Sequence, residues 1–175
     1  VYQALFENGI KIDALYGTSV GSLVGAFIAD GWAPDKLINL ALNISSTEFV
    51  DFVFPYNGYI GGQKLNRYIK THIKSKNIEE LALPLTITAV RTRTGQLEYF
   101  QRGLLADRIQ ASCSIPNVFR PVLIDGVEYL DGDLCSPVPI KKAREEHQDS
   151  VILAVDIIPQ AHDAPRNNLK WAKEI

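Results

Sequence analysis

The chain has 175 residues, 46% of them hydrophobic and 22% charged, with a formal net charge of −2. That length suits a single domain with a real core, and a near-neutral charge without any basic block argues against a nucleic-acid partner. No apolar run approaches the roughly 18 residues that a membrane span needs, and no segment has the pattern of a secretion signal, so the cytoplasm is the expected compartment.

Helix and strand patterns alternate along the chain. Val1 to Asn8 has helical spacing and stops at Gly9. A short strand over Asp13 to Tyr16 runs into Gly17-Thr18-Ser19. From Val20, the residues Leu23, Val24, Phe27 and Ile28 recur with helical period until Gly31, while Gly21, Gly25 and Ala29 form a small-residue face suited to a sheet. Pro34 opens the next helix. Residues 45–62 read as a loop, whose FVDFVFPY stretch suits an apolar wall, a lid or core packing. An amphipathic helix is expected over Gln63 to Lys76, then strands over Leu85 to Val90 and Leu97 to Phe100 around Thr94-Gly95. A helix over Leu104 to Ser114 stops before Pro116, and VLIDGVEYL reads as a hairpin about Asp125-Gly126. Pro137 to Glu146 is expected as a helix and SVILAVDII as a buried strand. The remainder, 159–175, is a polar tail with a short terminal helix. Interleaved helices and apolar strands predict an α/β fold with helices covering a largely parallel sheet.

Gly17-Thr18-Ser19-Val20-Gly21 spells G-x-S-x-G between the expected strand and helix. Glycines there permit a strained turn that projects the serine hydroxyl, and the following helix aims its free N–H groups and positive dipole end at the same place. The Val20 N–H is one expected oxyanion donor. A helix cap on a glycine turn explains the same residues more plainly. Phosphate binding does not, because Ser22 stands where a phosphate loop needs lysine and no G-x-G-x-x-G is present.

A serine nucleophile needs a base. Ser19, Asp131 and either His147 or His162 satisfy the order of a Ser-Asp-His triad. Against that, His147 sits at a polar helix end, His162 in the tail and His72 among lysines, and only 18 residues precede Ser19. Asp131 ends an apolar strand and precedes a glycine, so it suits either a buried base or an ordinary turn. Cys113 and Cys135 have no metal-ligand spacing and are expected as reduced thiols; Cys113 is a nucleophile candidate without a nearby base. No cofactor or metal is expected.

The run GTSVGS, preceded by NGIKIDAL and followed by LVGAFIADG, resembles the nucleophile segment of the patatin-like phospholipase family, in its bacterial-type form. The resemblance continues through LALPLTITAV, TGQLEYFQRG and ASCSIPNVFRPVLIDGVEYLDGDLCSPVPIKKARE. Asp131-Gly132 falls on the family's Asp-Gly-[Gly/Ala] motif, with Asp133 in place of the small residue. It implies a three-layer α/β/α domain over 1–158, hydrolysis of lipid acyl esters, and a Ser19–Asp131 dyad supported by Gly17, Val20, Gly21 and Gly132. The implied partners are a lipid or acyl-ester substrate and a transient membrane surface. The family's first strand and glycine-rich oxyanion loop would lie upstream of Val1, so the chain by itself is expected to be a poor catalyst. A non-catalytic lipid- or protein-binding member of the same fold and a Ser-His-Asp esterase are the rival readings.

Overall fold

The computed structural model describes residues 1–45 and 60–157. The FVDFVFPY stretch, His162 and the tail lie outside the described residues. In chain order the elements are α1 Tyr2–Glu7, β1 Leu15–Gly17, α2 Val20–Ala29, α3 Pro34–Asn43, α4 Gln63–His72, β2 Leu85–Arg91, β3 Leu97–Phe100, α5 Leu105–Ser112, β4 Val122–Ile124, β5 Val127–Asp131 and α6 Ile140–Glu146. No helix among the described residues is long and apolar enough to cross a membrane.

Local chemistry sets most boundaries where the sequence places them. Pro34 occupies the first turn of α3, and Gly31 (φ 88°) follows the end of α2. Asp125 and Gly126 both take positive φ, the backbone of a two-residue hairpin turn that suits the twist of its strands. Helix α4 stops at His72 rather than Lys76, because Ile73 turns extended and the Asp30 carboxylate captures the next amides. It accepts the Lys74 and Ser75 N–H groups at 3.2 Å each and the Ser75 hydroxyl at 2.8 Å. Helix α6 begins at Ile140, since Pro139 pushes Val138 before it out of the helical region and itself forms the non-helical cap.

Among the described residues the sheet combines parallel and antiparallel pairing. Strand β1 runs parallel to β2, whereas β3 and β5 pair with β2, and β4 with β5, antiparallel. Tight connections account for two of these pairs: β2 reaches β3 through the Thr94-Gly95 turn and β4 reaches β5 through Asp125-Gly126, and such short links join only antiparallel neighbours. The register determines the site. Gly17 pairs with Ile87, Ala89 pairs with Asp131, and β3 pairs with both Ile87 and Ala89. β3 therefore occupies one edge of β2, and β1 and β5 share the other edge end to end. Because β1 is parallel and β5 antiparallel to β2, their C-terminal ends point toward each other and meet beside Thr88.

On one face of the sheet, Leu85 and Ile87 pack under Phe27, Leu65, Ile69, Leu105 and Ile109 from α2, α4 and α5. A Cβ at Gly25 would lie 3.1 Å from Leu85 Cδ1, so the small-residue face of α2 does seat it closely on β2. The alternate residues face α6: Tyr16 Oη donates to Glu146 at 2.5 Å, and Gln101 Nε2 bridges Thr86 Oγ1 and Glu146, at 3.0 Å to each. A smaller cluster of Ala89, Ala111, Ile124 and Tyr129 closes the far end.

The strand expected over SVILAVDII does not form in its described part. Residues 151–157 join no ladder, and Val151 and Ile157 are 98% and 70% exposed. Apolar β-forming composition makes a strand only when a neighbouring edge takes its N–H and C=O groups, and no described strand does so.

Candidate active site

Strand β1 delivers the chain into a turn that only a strained backbone completes. Ser19 has φ 53° and ψ −129°, and the helix α2 starts at the next residue. A non-glycine residue held at such a φ costs about 1–3 kcal/mol, and surrounding contacts must hold it there. Gly17 is required by proximity: a Cβ would sit 2.6 Å from the Gly21 carbonyl oxygen and from Ser22 Cα. Gly21 is under no such constraint among the described residues, since a Cβ there would meet nothing within 4 Å.

Every polar backbone group of Ser19 is engaged. Its N–H donates to Ser112 Oγ at 2.9 Å, and its carbonyl accepts from the Ser22 hydroxyl at 2.6 Å and the Ser22 N–H at 2.9 Å. The Gly21 N–H donates to the Thr18 carbonyl at 2.8 Å. The Val20 N–H is thus the first-turn amide left without a backbone acceptor among the described residues, at the positive end of the α2 dipole.

Asp131, the last residue of β5, is 2% exposed. Its Oδ2 accepts the Ser19 hydroxyl at 2.7 Å and its Oδ1 accepts the Asp133 N–H at 2.9 Å. Burial raises the carboxyl above the usual aspartate range, with the Asp133 charge adding to it; the two hydrogen bonds oppose the shift without cancelling it. The side chain of Asp133 is exposed, so the residue departing from the family motif makes its hydrogen bond to Asp131 through its backbone and acts on it otherwise only through its charge. Gly132 is obligatory for close approach, since a Cβ there would run into the Thr88 backbone, 2.8 Å from its carbonyl oxygen.

A hydroxyl relay ties the two strand ends together. Thr18 Oγ1 donates to the Ser136 carbonyl at 2.8 Å and lies 2.6 Å from Thr88 Oγ1. With the Thr18 proton spent on Ser136, Thr88 is the donor between the pair. Thr88 therefore sits at the meeting point of β1 and β5 and bonds to the residue before Ser19.

The structure brings Ser19 and Asp131 together and leaves the described histidines elsewhere. His72 lies on α4, its Nδ1 2.9 Å from the Tyr68 carbonyl and its ring stacked on Tyr68. His147 follows α6 and meets the ring of Tyr16 edge-on at 6.0 Å between centroids. Cys113 does lie by a carboxylate, contrary to the sequence reading. The hydroxyls of Ser19 and Ser22 and the charge of Asp131 all act on its thiol. Burial, reinforced by that charge, pushes it up to about 12, so it stays a protonated thiol. Cys135 is exposed, away from any metal-like cluster; no group of His, Cys, Asp and Glu among the described residues is arranged to hold an ion.

Ser112, Ser22 and Thr88 escape a sequence reading because single hydroxyl residues in a helix or strand have no spacing signature. Only the ASCSIP stretch, through its resemblance, draws the eye toward Ser112.

A family model described as patatin-like phospholipase matches residues 1–144. An uncharacterized NTE family protein of Mycobacterium tuberculosis is 31% identical over 143 residues, covering 80% of this chain and 39% of its own length. The protein named lysophospholipase NTE1 of Debaryomyces hansenii is 27% identical over 163 residues, covering 90% of this chain and 10% of its own. The chain therefore spans well under half the length of these relatives. Among solved structures, VipD from Legionella pneumophila shares the fold with a TM-score of 0.54 at 13% identity, over 74% of this chain and 42% of VipD.

Proposed function

Because the chain belongs to the patatin-like phospholipase family, we propose that it is a serine acyl hydrolase that cleaves acyl esters of lipids through a Ser19–Asp131 dyad. The 2.7 Å hydrogen bond from the Ser19 hydroxyl to a carboxylate made more basic by burial carries this reading. Aspartate at its ordinary pKa of about 3.9 is a feeble base at neutral pH, and a raised value moves it toward the useful range.

In the proposed cycle, Ser19 Oγ bonds to the ester carbonyl carbon as its proton passes to Asp131 Oδ2. The Val20 N–H and the α2 dipole stabilise the oxyanion. The C–O bond to the alcohol then breaks, and Asp131 returns the proton to the departing oxygen. Water attacks the acyl-Ser19 ester and gives a proton to Asp131, and collapse releases the fatty acid as Ser19 recovers its hydrogen. Ser19, Asp131, the ester and water carry every proton and electron pair. The name of the Debaryomyces relative makes lysophospholipids the first natural substrates to try.

The test is labelling by a fluorophosphonate probe and hydrolysis of p-nitrophenyl butyrate and lysophosphatidylcholine. Parent and Ser19→Ala are compared, in the chain and in the protein extended upstream of Val1. The parent is expected to label and turn over, and Ser19→Ala to lose labelling and roughly a millionfold in kcat. Ser19→Ala activity within tenfold of the parent would refute the nucleophile. A parent that neither labels nor hydrolyses would favour a binding role.

A further inference from the structure

We propose that Ser112 and Ser22 are positioning residues that clamp the two peptide planes on either side of the nucleophile; the inference rests on Ser19 being that nucleophile. Both side chains are 0% exposed, and each bonds to a different backbone group of Ser19. Ser112 ends α5, which Leu105 and Ile109 anchor in the main core, and its hydroxyl reaches across to the Ser19 N–H at 2.9 Å. This sets the Thr18–Ser19 peptide plane from outside the turn.

Ser22 sets the following plane. Its hydroxyl donates to the Ser19 carbonyl at 2.6 Å, although the same carbonyl already accepts the Ser22 and Leu23 amides at 2.9 and 3.4 Å. The hydroxyl is not needed to satisfy that oxygen. A trans peptide is planar, so its carbonyl and N–H point in opposite directions. Holding the Ser19 carbonyl inward aims the Val20 N–H outward, where the oxyanion forms. The clamp is needed because φ 53° at Ser19 is strained: the turn relaxes unless both planes are held. Relaxation would move the nucleophile and the oxyanion donor together.

Such a role separates rate from binding. In the form of the protein that turns over p-nitrophenyl butyrate, Ser112→Ala is expected to lower kcat about 10- to 100-fold and Ser22→Ala about tenfold. KM should stay within about twofold, because neither hydroxyl touches substrate. Fluorophosphonate labelling should slow in step with kcat, and melting curves should show both variants folded. Parent-like kcat in both variants, or a shared rise of KM with kcat unchanged, would overturn the clamp. Parent and Ser19→Ala run alongside: if Ser19→Ala matches the parent, or the parent is inert, it is the hydrolase reading that falls.

Discussion

Asp131→Asn separates catalysis from stability at one buried position. The parent carboxylate accepts two hydrogen bonds, from Ser19 on Oδ2 and from the Asp133 N–H on Oδ1. In asparagine the amide oxygen must stay toward Asp133, since an NH2 group there would oppose another donor. The NH2 then faces Ser19 and donates to Oγ, which reverses the hydrogen bond the mechanism needs. The variant thus lacks a base and also turns the serine proton away. By comparison with a triad aspartate exchanged for asparagine, kcat should fall about 10⁴-fold, or roughly 5 kcal/mol of barrier.

Stability should move the other way with pH. The folded carboxyl is raised above its unfolded value, mainly by burial. Below the unfolded value both states hold the proton and the parent has its full stability. As pH rises through the folded value, the unfolded chain is already ionised and stability is lost. The asparagine variant has no such loss, so its melting temperature should gain on the parent's as pH rises from about 4, the ordinary aspartate value, into the neutral range. Ester turnover and thermal melting across that range read both effects. Activity within tenfold of the parent, or a melting difference that does not change with pH, would refute the reasoning.

Replacing His72, His147 and His162 together should leave kcat within a few-fold of the parent, because the described pair contact Tyr68 and Tyr16 rather than the dyad. A loss near ten-thousandfold would instead require a triad histidine. Gly17→Ala should cost more than about 4 kcal/mol in denaturant unfolding, since its Cβ would strike backbone that cannot move aside. Gly21→Ala should leave stability equal or raise it by up to about 1 kcal/mol, as alanine in a roomy helical position does. Equal losses in the two variants would mean that Gly17 is not held by the close approach of α2.

The parts of the site legible in the sequence are those where backbone chemistry demands particular residues. Gly17 marks a collision, Asp125-Gly126 marks positive φ, and Asp131 stands where an apolar strand stops. Ser19 could be named because glycines frame it, although its φ is visible only in the structure. What stayed hidden depends on pairing between distant segments. The Asp30 carboxylate that ends α4 lies 44 residues from Lys74, and the Ser112 acceptor lies 93 residues from Ser19. The proximity of Cys113 to Asp131 is likewise a result of α5 packing beside β5. The strand misread in 151–157 shows the converse: composition favours extension, but pairing is a property of two segments.

The edge of β2 shared by β1 and β5 acts as a ruler for the spacing of Ser19 and Asp131. Gly17 pairs with Ile87 and Asp131 with Ala89, so one strand residue, Thr88, sets the gap between the segments that carry Ser19 and Asp131. A strand advances about 3.3 Å per residue and alternates its faces. Slipping either partner by a single step would turn its side chain to the other side of the sheet. The dyad is therefore metered in whole residues, and its tolerance is that of a hydrogen-bond ladder. Surface loops elsewhere can lengthen or diverge without changing the separation, whereas a single insertion at Thr88 would part the two groups while leaving both in the chain.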